Sequence, residues 1–215
     1  MKKILLNILA GVLITTVFTT CGSGSCRITM TAESDGVITF LLAGSGVVTV
    51  DWGDGSEKVR LTLNENGVEF VHKYSVASIR TITIIGDNIV ELDCSGIGLT
   101  NLDVRRATAL KWLDCSDNQL TDLNVSRNTA LRLLNCSNNR LTNLDVSKNT
   151  ALKALNISEN KFSANALSAL FHSLHSNDIG YDTGIYGRTK GIRVDEITAS
   201  DRNMIEHKGW TVFFW

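Results

Sequence analysis

The chain has 215 residues, a net charge of -1, 20% charged residues, five cysteines and no proline. That near-neutral balance gives no basic footprint for nucleic acid. The length allows one or two small domains.

Residues 1–20 read MKKILLNILAGVLITTVFTT, with Lys2 and Lys3 ahead of an apolar run from Ile4 to Phe18. The run is short for a bilayer span and has the layout of a signal peptide. It stops at Cys21, and Gly22, Ser23, Gly24 and Ser25 follow as part of a short linker over 21–26. This resembles a bacterial lipoprotein signal, which implies that Cys21 is the lipidated first residue and that the protein is anchored to the outer membrane, where it could face the periplasm or the exterior. The alternative is an ordinary signal peptide with an incidental cysteine. Export places Cys26, if exposed, in an oxidising compartment without an obvious partner.

Residues 27–88 alternate short β-branched runs with Gly, Asn and Ser: CRITMTAE (which begins at Cys26), GVITFLLAG, GVVTVDWGDGS, EKVRLTL, GVEFVHKYS and IRTITIIG. Such runs predict an antiparallel β-sandwich. Trp52, Gly53, Asp54 and Gly55, then Tyr74, then the last run resemble a PKD-type immunoglobulin-like domain. Asp51, Asp54 and Ser56 could be calcium ligands, but a tight turn at Asp54-Gly55 with Trp52 in the core explains the same residues.

From 89 to 162 the sequence repeats. Cys94, Cys115 and Cys136 are spaced by 21 residues, and so are Leu92, Leu113, Leu134 and Leu155, and Asn118, Asn139 and Asn160. Several columns agreeing on one period signify a solenoid, whose coils cannot bury their apolar edges alone. The pattern L-x-x-L-x-C-x-x-N-x-L-x-x-L is that of the leucine-rich repeat. Leu110, Leu113, Cys115, Leu120, Leu123 and Val125 are expected in the core of one coil. Asn118 should satisfy backbone groups where the chain leaves the strand. The cysteines are expected to be buried small hydrophobes, since side chains in register on parallel strands stay about 5 Å apart, too wide for a disulfide, and no C-x-x-C or His pair offers a zinc site.

Residues 163–215 predict an α/β capping region. Ser163 is a plausible N-cap for a helix carrying Leu167, Leu170, Phe171 and Leu174 on one face. KGIRV and WTVFFW read as strands, with a helix from about Ser200 to Lys208 between them, stopped by Gly209. The predicted fold is thus a leucine-rich-repeat solenoid of parallel strands in 21-residue coils, between an N-terminal antiparallel sandwich and a C-terminal α/β cap.

No H-E-x-x-H, G-x-S-x-G or P-loop occurs, and SENK at Ser158–Lys161 matches S-x-x-K only because Asn160 belongs to the repeat. The sequence therefore predicts a protein that is not an enzyme and needs no cofactor or metal. The chain as a whole resembles internalin-like leucine-rich-repeat surface lipoproteins, and HKGWTVFFW is similar to their C-terminal caps. The resemblance implies a protein or glycan ligand and a role in adhesion at the cell envelope. An accessory subunit of a glycan- or protein-degrading system and a structural envelope spacer are the alternatives. Period-two alternation turns two columns outward on the concave sheet: Glu91, Trp112, Leu133 and Ala154, then Asp93, Asp114, Asn135 and Asn156. Trp112 beside Leu133 with polar Asp93, Asp114, Asn135 and Asn156 around them is the candidate binding face. The same pair could instead pack against a neighbouring loop or the N-terminal module. The column Lys111, Arg132 and Lys153 reads as a solvated face balanced by Asp114.

Overall fold

The computed structural model describes residues 26–34, 36–176, 191–193 and 197–213. The signal-like run and Cys21 lie outside them. Six strands come first: β1 (Cys26–Ser34), β2 (Val37–Asp51), β3 (Val59–Thr62), β4 (Val68–Lys73), β5 (Ser78–Asp93) and β6 (Leu99–Asp103). Three-residue strands β7 (Trp112–Asp114), β8 (Leu133–Asn135) and β9 (Ala154–Asn156) repeat every 21 residues. Helix α1 (Ala164–Ser173), β10 (Gly191–Arg193), α2 (Ala199–His207) and β11 (Thr211–Phe213) end the described chain. Antiparallel N-terminal strands therefore lead into a parallel sheet of short strands, which ends in a helical cap.

The two parts share strands. The expected boundary at 88/89 falls inside β5, whose first half pairs antiparallel with β1 and whose last three residues pair in parallel with β7. Strand β2 likewise pairs with β4 over Val37–Leu42, with β3 over Val47–Val50, and with both halves of β5. Its register slips between Ala43 and Val48. Gly44 makes this bend possible: its φ is +152, and a Cβ there would lie 2.0 Å from the Asn88 carbonyl oxygen. On β5, opposite Val48, a Cβ on Gly86 would lie 2.5 Å from Val48 Cγ1. Side chains at either place would push the two long strands apart.

This arrangement covers the open end of the solenoid in two ways. Leu41–Ala43 of β2 occupy the edge of the parallel sheet, opposite Asp93, Leu92 and Glu91. Strand β1 pairs through its other edge with β6, the far side of the first coil, from Thr29↔Asp103 to Ala32↔Leu99. An exposed edge would invite pairing with another chain. Here both are filled by backbone hydrogen bonding, a tighter connection than the docking of a separate sandwich. The buried side chains accordingly form one cluster, from Ile28 and Trp52 through Leu113 and Leu134 to Phe171 and Trp210. Cys26, expected at the end of a linker, is instead the first residue of β1 and is buried.

Two asparagine columns hold the coils in step. Asn139 accepts the Leu120 N–H through Oδ1 at 2.9 Å and donates to the carbonyls of Cys115, Cys136 and Ser137. Asn118 and Asn160 repeat this pattern. On the returning loop, Asn128 donates to Val104 and Ala107, and Asn149 to Val125 and Asn128. The residue before each Asn of the first column is left-handed: Asp117, Asn138 and Glu159 have φ of 57, 51 and 53. Among these, Asn tolerates the conformation best.

At the far end α1 starts at Ser163, whose side chain accepts the Ala166 N–H. It presents Leu170 and Phe171 to the core. Lys208 then closes the helix by donating through Nζ to the carbonyls of Phe171, His172 and Leu174, the favourable end of the dipole for a cation. Gly209, at φ 77, follows α2. Strands β10 and β11 extend the sheet in parallel beyond β9.

Candidate functional site

The parallel strands bury their central residue and half-bury the flanking two, so Leu113, Leu134 and Leu155 point inward. The outward row Glu91, Trp112, Leu133 and Ala154 is in register strand by strand. Trp112 and Leu133 are thus neighbours on the outward row, and both are half-buried. Burial, with the Asp93 charge adding to it, pushes the Glu91 carboxyl above its ordinary value.

The second outward row is a ladder of internal hydrogen bonds. Asp93, Asp114, Asn135 and Asn156 each accept, through Oδ1, both the N–H and the hydroxyl of the serine two residues on. Asn135 also donates through Nδ2 to Asp114 Oδ2 at 2.9 Å. These residues shape the turn after each strand. Sequence patterning placed them outward and could not show this work. Both Asp114 oxygens accept hydrogen bonds, from Ser116 and Asn135, and no direct ion pair joins Asp114 to Lys111.

The cysteine column lies wholly inside. Cys94, Cys115 and Cys136 are free thiols, and each Sγ lies 3.4–3.5 Å from the carbonyl oxygen of the next coil, of Asp114, Asn135 and Asn156 respectively. Burial raises all three thiols, Cys136 to about 12, which keeps them protonated at neutral pH and disfavours the nucleophilic thiolate.

In the N-terminal strands the DWGDGS turn spreads its carboxylates. Asp51 pairs with Lys58 at 2.9 Å and accepts the Gly53 N–H. Asp54 accepts the Ser56 N–H and lies 2.7 Å from His72 Nε2. His72 stacks on buried Trp52, with centroids 4.6 Å apart, and meets the Tyr74 ring edge-on. The Tyr74 hydroxyl donates to the Trp52 carbonyl at 2.7 Å. Hydrogen bonds from Ser56, then from His72, hold the Asp54 carboxyl well below its usual value. Asp54 thus lies between Ser56 and His72, the reverse of a triad in which histidine takes the serine proton. The cluster bolts the turn to β4. His72 was missed from the sequence because nothing in VHKY marks its partner 18 residues earlier. Among the described residues no group of three or more His, Cys, Asp or Glu is placed to hold a metal ion.

The period also carries a column not anticipated from the sequence: Arg106, Arg127 and Lys148, each 21 residues apart and exposed. It stands on the loop that returns to the sheet, five positions before Lys111, Arg132 and Lys153. The 21-residue spacing was sufficient to find it.

No family model and no curated protein matches this chain. Among solved structures it is similar to an internalin (InlF) from Listeria monocytogenes str. 4b F2365, at 18% identity over 54% of this chain and 38% of that one, with a TM-score of 0.40. It is also similar to the functional domain of InlJ from Listeria monocytogenes, described as including a cysteine ladder. There the identity is 27% over 58% of this chain and 29% of the other, with a TM-score of 0.35. The chain thus spans less than two-fifths of either. Superpositions this loose carry no residue role across.

Proposed function

We propose that the protein is a non-enzymatic binding scaffold of the cell envelope, anchored by lipid on Cys21 and recognising a protein or glycan through the open face of its parallel sheet. The observation that carries this reading is Trp112 beside Leu133 on a face whose surrounding side chains are polar. An aromatic anchor rimmed by polar groups is the composition of a binding hot spot. The asparagine columns support it further, because they spend their hydrogen bonds on holding the face rigid, which lowers the entropic cost of association.

The test is to screen labelled protein against glycan and extracellular-protein arrays, then compare wild type with Trp112→Ala for each ligand found. The expected result is at least a tenfold loss of affinity with the melting temperature nearly unchanged. Unchanged affinity would overturn the assignment of the face.

A further inference from the structure

The loops returning to the sheet, residues 104–111, 125–132 and 146–153, contain seven Lys or Arg and no Asp or Glu. In a chain of net charge -1, that is a concentration of one sign along one edge. The backbone fixes the spacing. The Arg132 N–H donates to the Lys111 carbonyl, and the Lys153 N–H to that of Arg132, both at 2.7 Å. The buried Asn128 and Asn149 amides tie the same loops together one residue after Arg127 and Lys148. Two parallel columns of cations therefore rise at about 4.8 Å per coil.

Arg106, Lys111, Arg127, Arg132 and Lys148 are exposed and, among the described residues, make no side-chain hydrogen bond or ion pair. Lys153 is half-buried and has a partner. Of the acidic groups beside the loops, Asp103 is engaged by Arg105 and Asp145 by the Ser147 N–H, while Glu91 stands in register with Trp112 on the outward row. Arg127 adds only a lesser coulombic effect to Asp103, and Lys148 to Asp145. Asp114 is occupied by Ser116 and Asn135. Like charges held in register repel one another, and among the described residues Asp103 and Asp145 offset this only in part.

We propose that this edge binds a linear acidic polysaccharide lying along the solenoid axis, its carboxylate or sulfate groups between the columns of Arg106, Arg127 and Lys148 and of Lys111 and Arg132. The proposal names a ligand class for the sheet-face reading and rests on it for one feature: Trp112 and Leu133, the first residues of β7 and β8, directly follow Lys111 and Arg132 in sequence, putting an apolar platform for sugar rings beside cations for their acid groups. The strip is narrow and three coils long. A single acidic chain matches that width, whereas a duplex or an anionic bilayer would leave most of its charge beyond the strip unpaired.

Binding of the full protein to heparin, polygalacturonate and neutral dextran at about 0.1 M salt tests this, alongside vesicles containing phosphatidylglycerol and a short DNA duplex. At least one acidic polysaccharide should bind, more weakly as salt rises, while dextran does not. Arg106→Glu with Arg127→Glu should weaken it at least tenfold with unchanged circular dichroism. Arg140→Glu with Lys161→Glu, on the opposite side of the coil, should leave it intact. Absence of binding to both acidic polysaccharides, equal or tighter binding to vesicles or DNA, or indifference to the Arg106/Arg127 pair overturns the proposal. Loss in Trp112→Ala with the arginine pair silent also overturns it, while leaving the sheet-face reading in place. Loss in the arginine pair with Trp112→Ala silent supports the edge and removes the sheet face.

Discussion

Replacing Asn139 by Ala should destabilise the fold by about 2–4 kcal/mol. Its Nδ2 reaches three carbonyls, and each keeps another donor: Cys115 from Asn118, Cys136 from Asn160 and Ser137 from the Asp117 N–H. The group left with no partner is the buried Leu120 N–H, which only Asn139 Oδ1 satisfies. An orphaned buried donor costs about 1–3 kcal/mol, and three weakened carbonyls and a small void add the remainder. That is a large part of the roughly 5–15 kcal/mol of a typical domain. Asn139→Asp separates the two ends of the amide. Its Oδ1 can still accept from Leu120, but its other oxygen then faces three carbonyl oxygens, so burial and repulsion raise the folded-state pKa of the new carboxyl. A raised folded pKa means that the relative stability is fully present below the unfolded value of about 3.9 and is lost as pH rises through the folded value. The deficit of the Asp variant against wild type should therefore be smaller at pH 4 than at pH 7. Urea unfolding followed by circular dichroism measures both. An Ala variant within about 0.5 kcal/mol of wild type, or an Asp deficit that ignores pH, would refute the assigned role of the column.

Asp54 works in the opposite sense: its folded pKa is depressed by Ser56 and His72, so its contribution is present above about pH 3.9 and lost as pH falls through the folded value. Asp54→Asn should accordingly be less stable than wild type at pH 7 and lose less on acidification between pH 5 and 2, read by thermal melts; parallel pH profiles would count against the Asp54–His72 contact. For the anchor, mass spectrometry of the membrane fraction should find acylated Cys21, and Cys21→Ala should move the protein to the soluble fraction; a mature chain that begins elsewhere would exclude lipidation at Cys21.

The repeat was legible in the sequence because a solenoid writes its tertiary contacts as a local period. Leu113, Cys115 and Asn118 meet residues of the neighbouring coil, 19 to 24 positions away, so each column records the stacking of one coil on the next. For the same reason the inward and outward rows could be assigned, α1 found from Ser163 and its apolar face, and α2 from its stop at Gly209. What Asp114 and Asn135 do on the outward row was not legible, since alternation gives the direction of a side chain and not its hydrogen-bond partner.

The non-repeating contacts were decided only by the tertiary structure. β1 pairs with β6 across some seventy residues, β2 lies against the last residues of β5, and His72 meets Asp54 across a strand and two loops. Runs such as RITMT and RTITI specify strands but not which edge each will fill, because β-branched alternation suits any half-buried strand. The choice fell to the open end of the solenoid, whose two unpaired edges are satisfied by β1 and β2 once Gly44 and Gly86 allow the strands to bend. Hence the sequence marks a division near residue 88 where the folded chain has none: composition changes there, while the backbone hydrogen bonds of β5 continue through it.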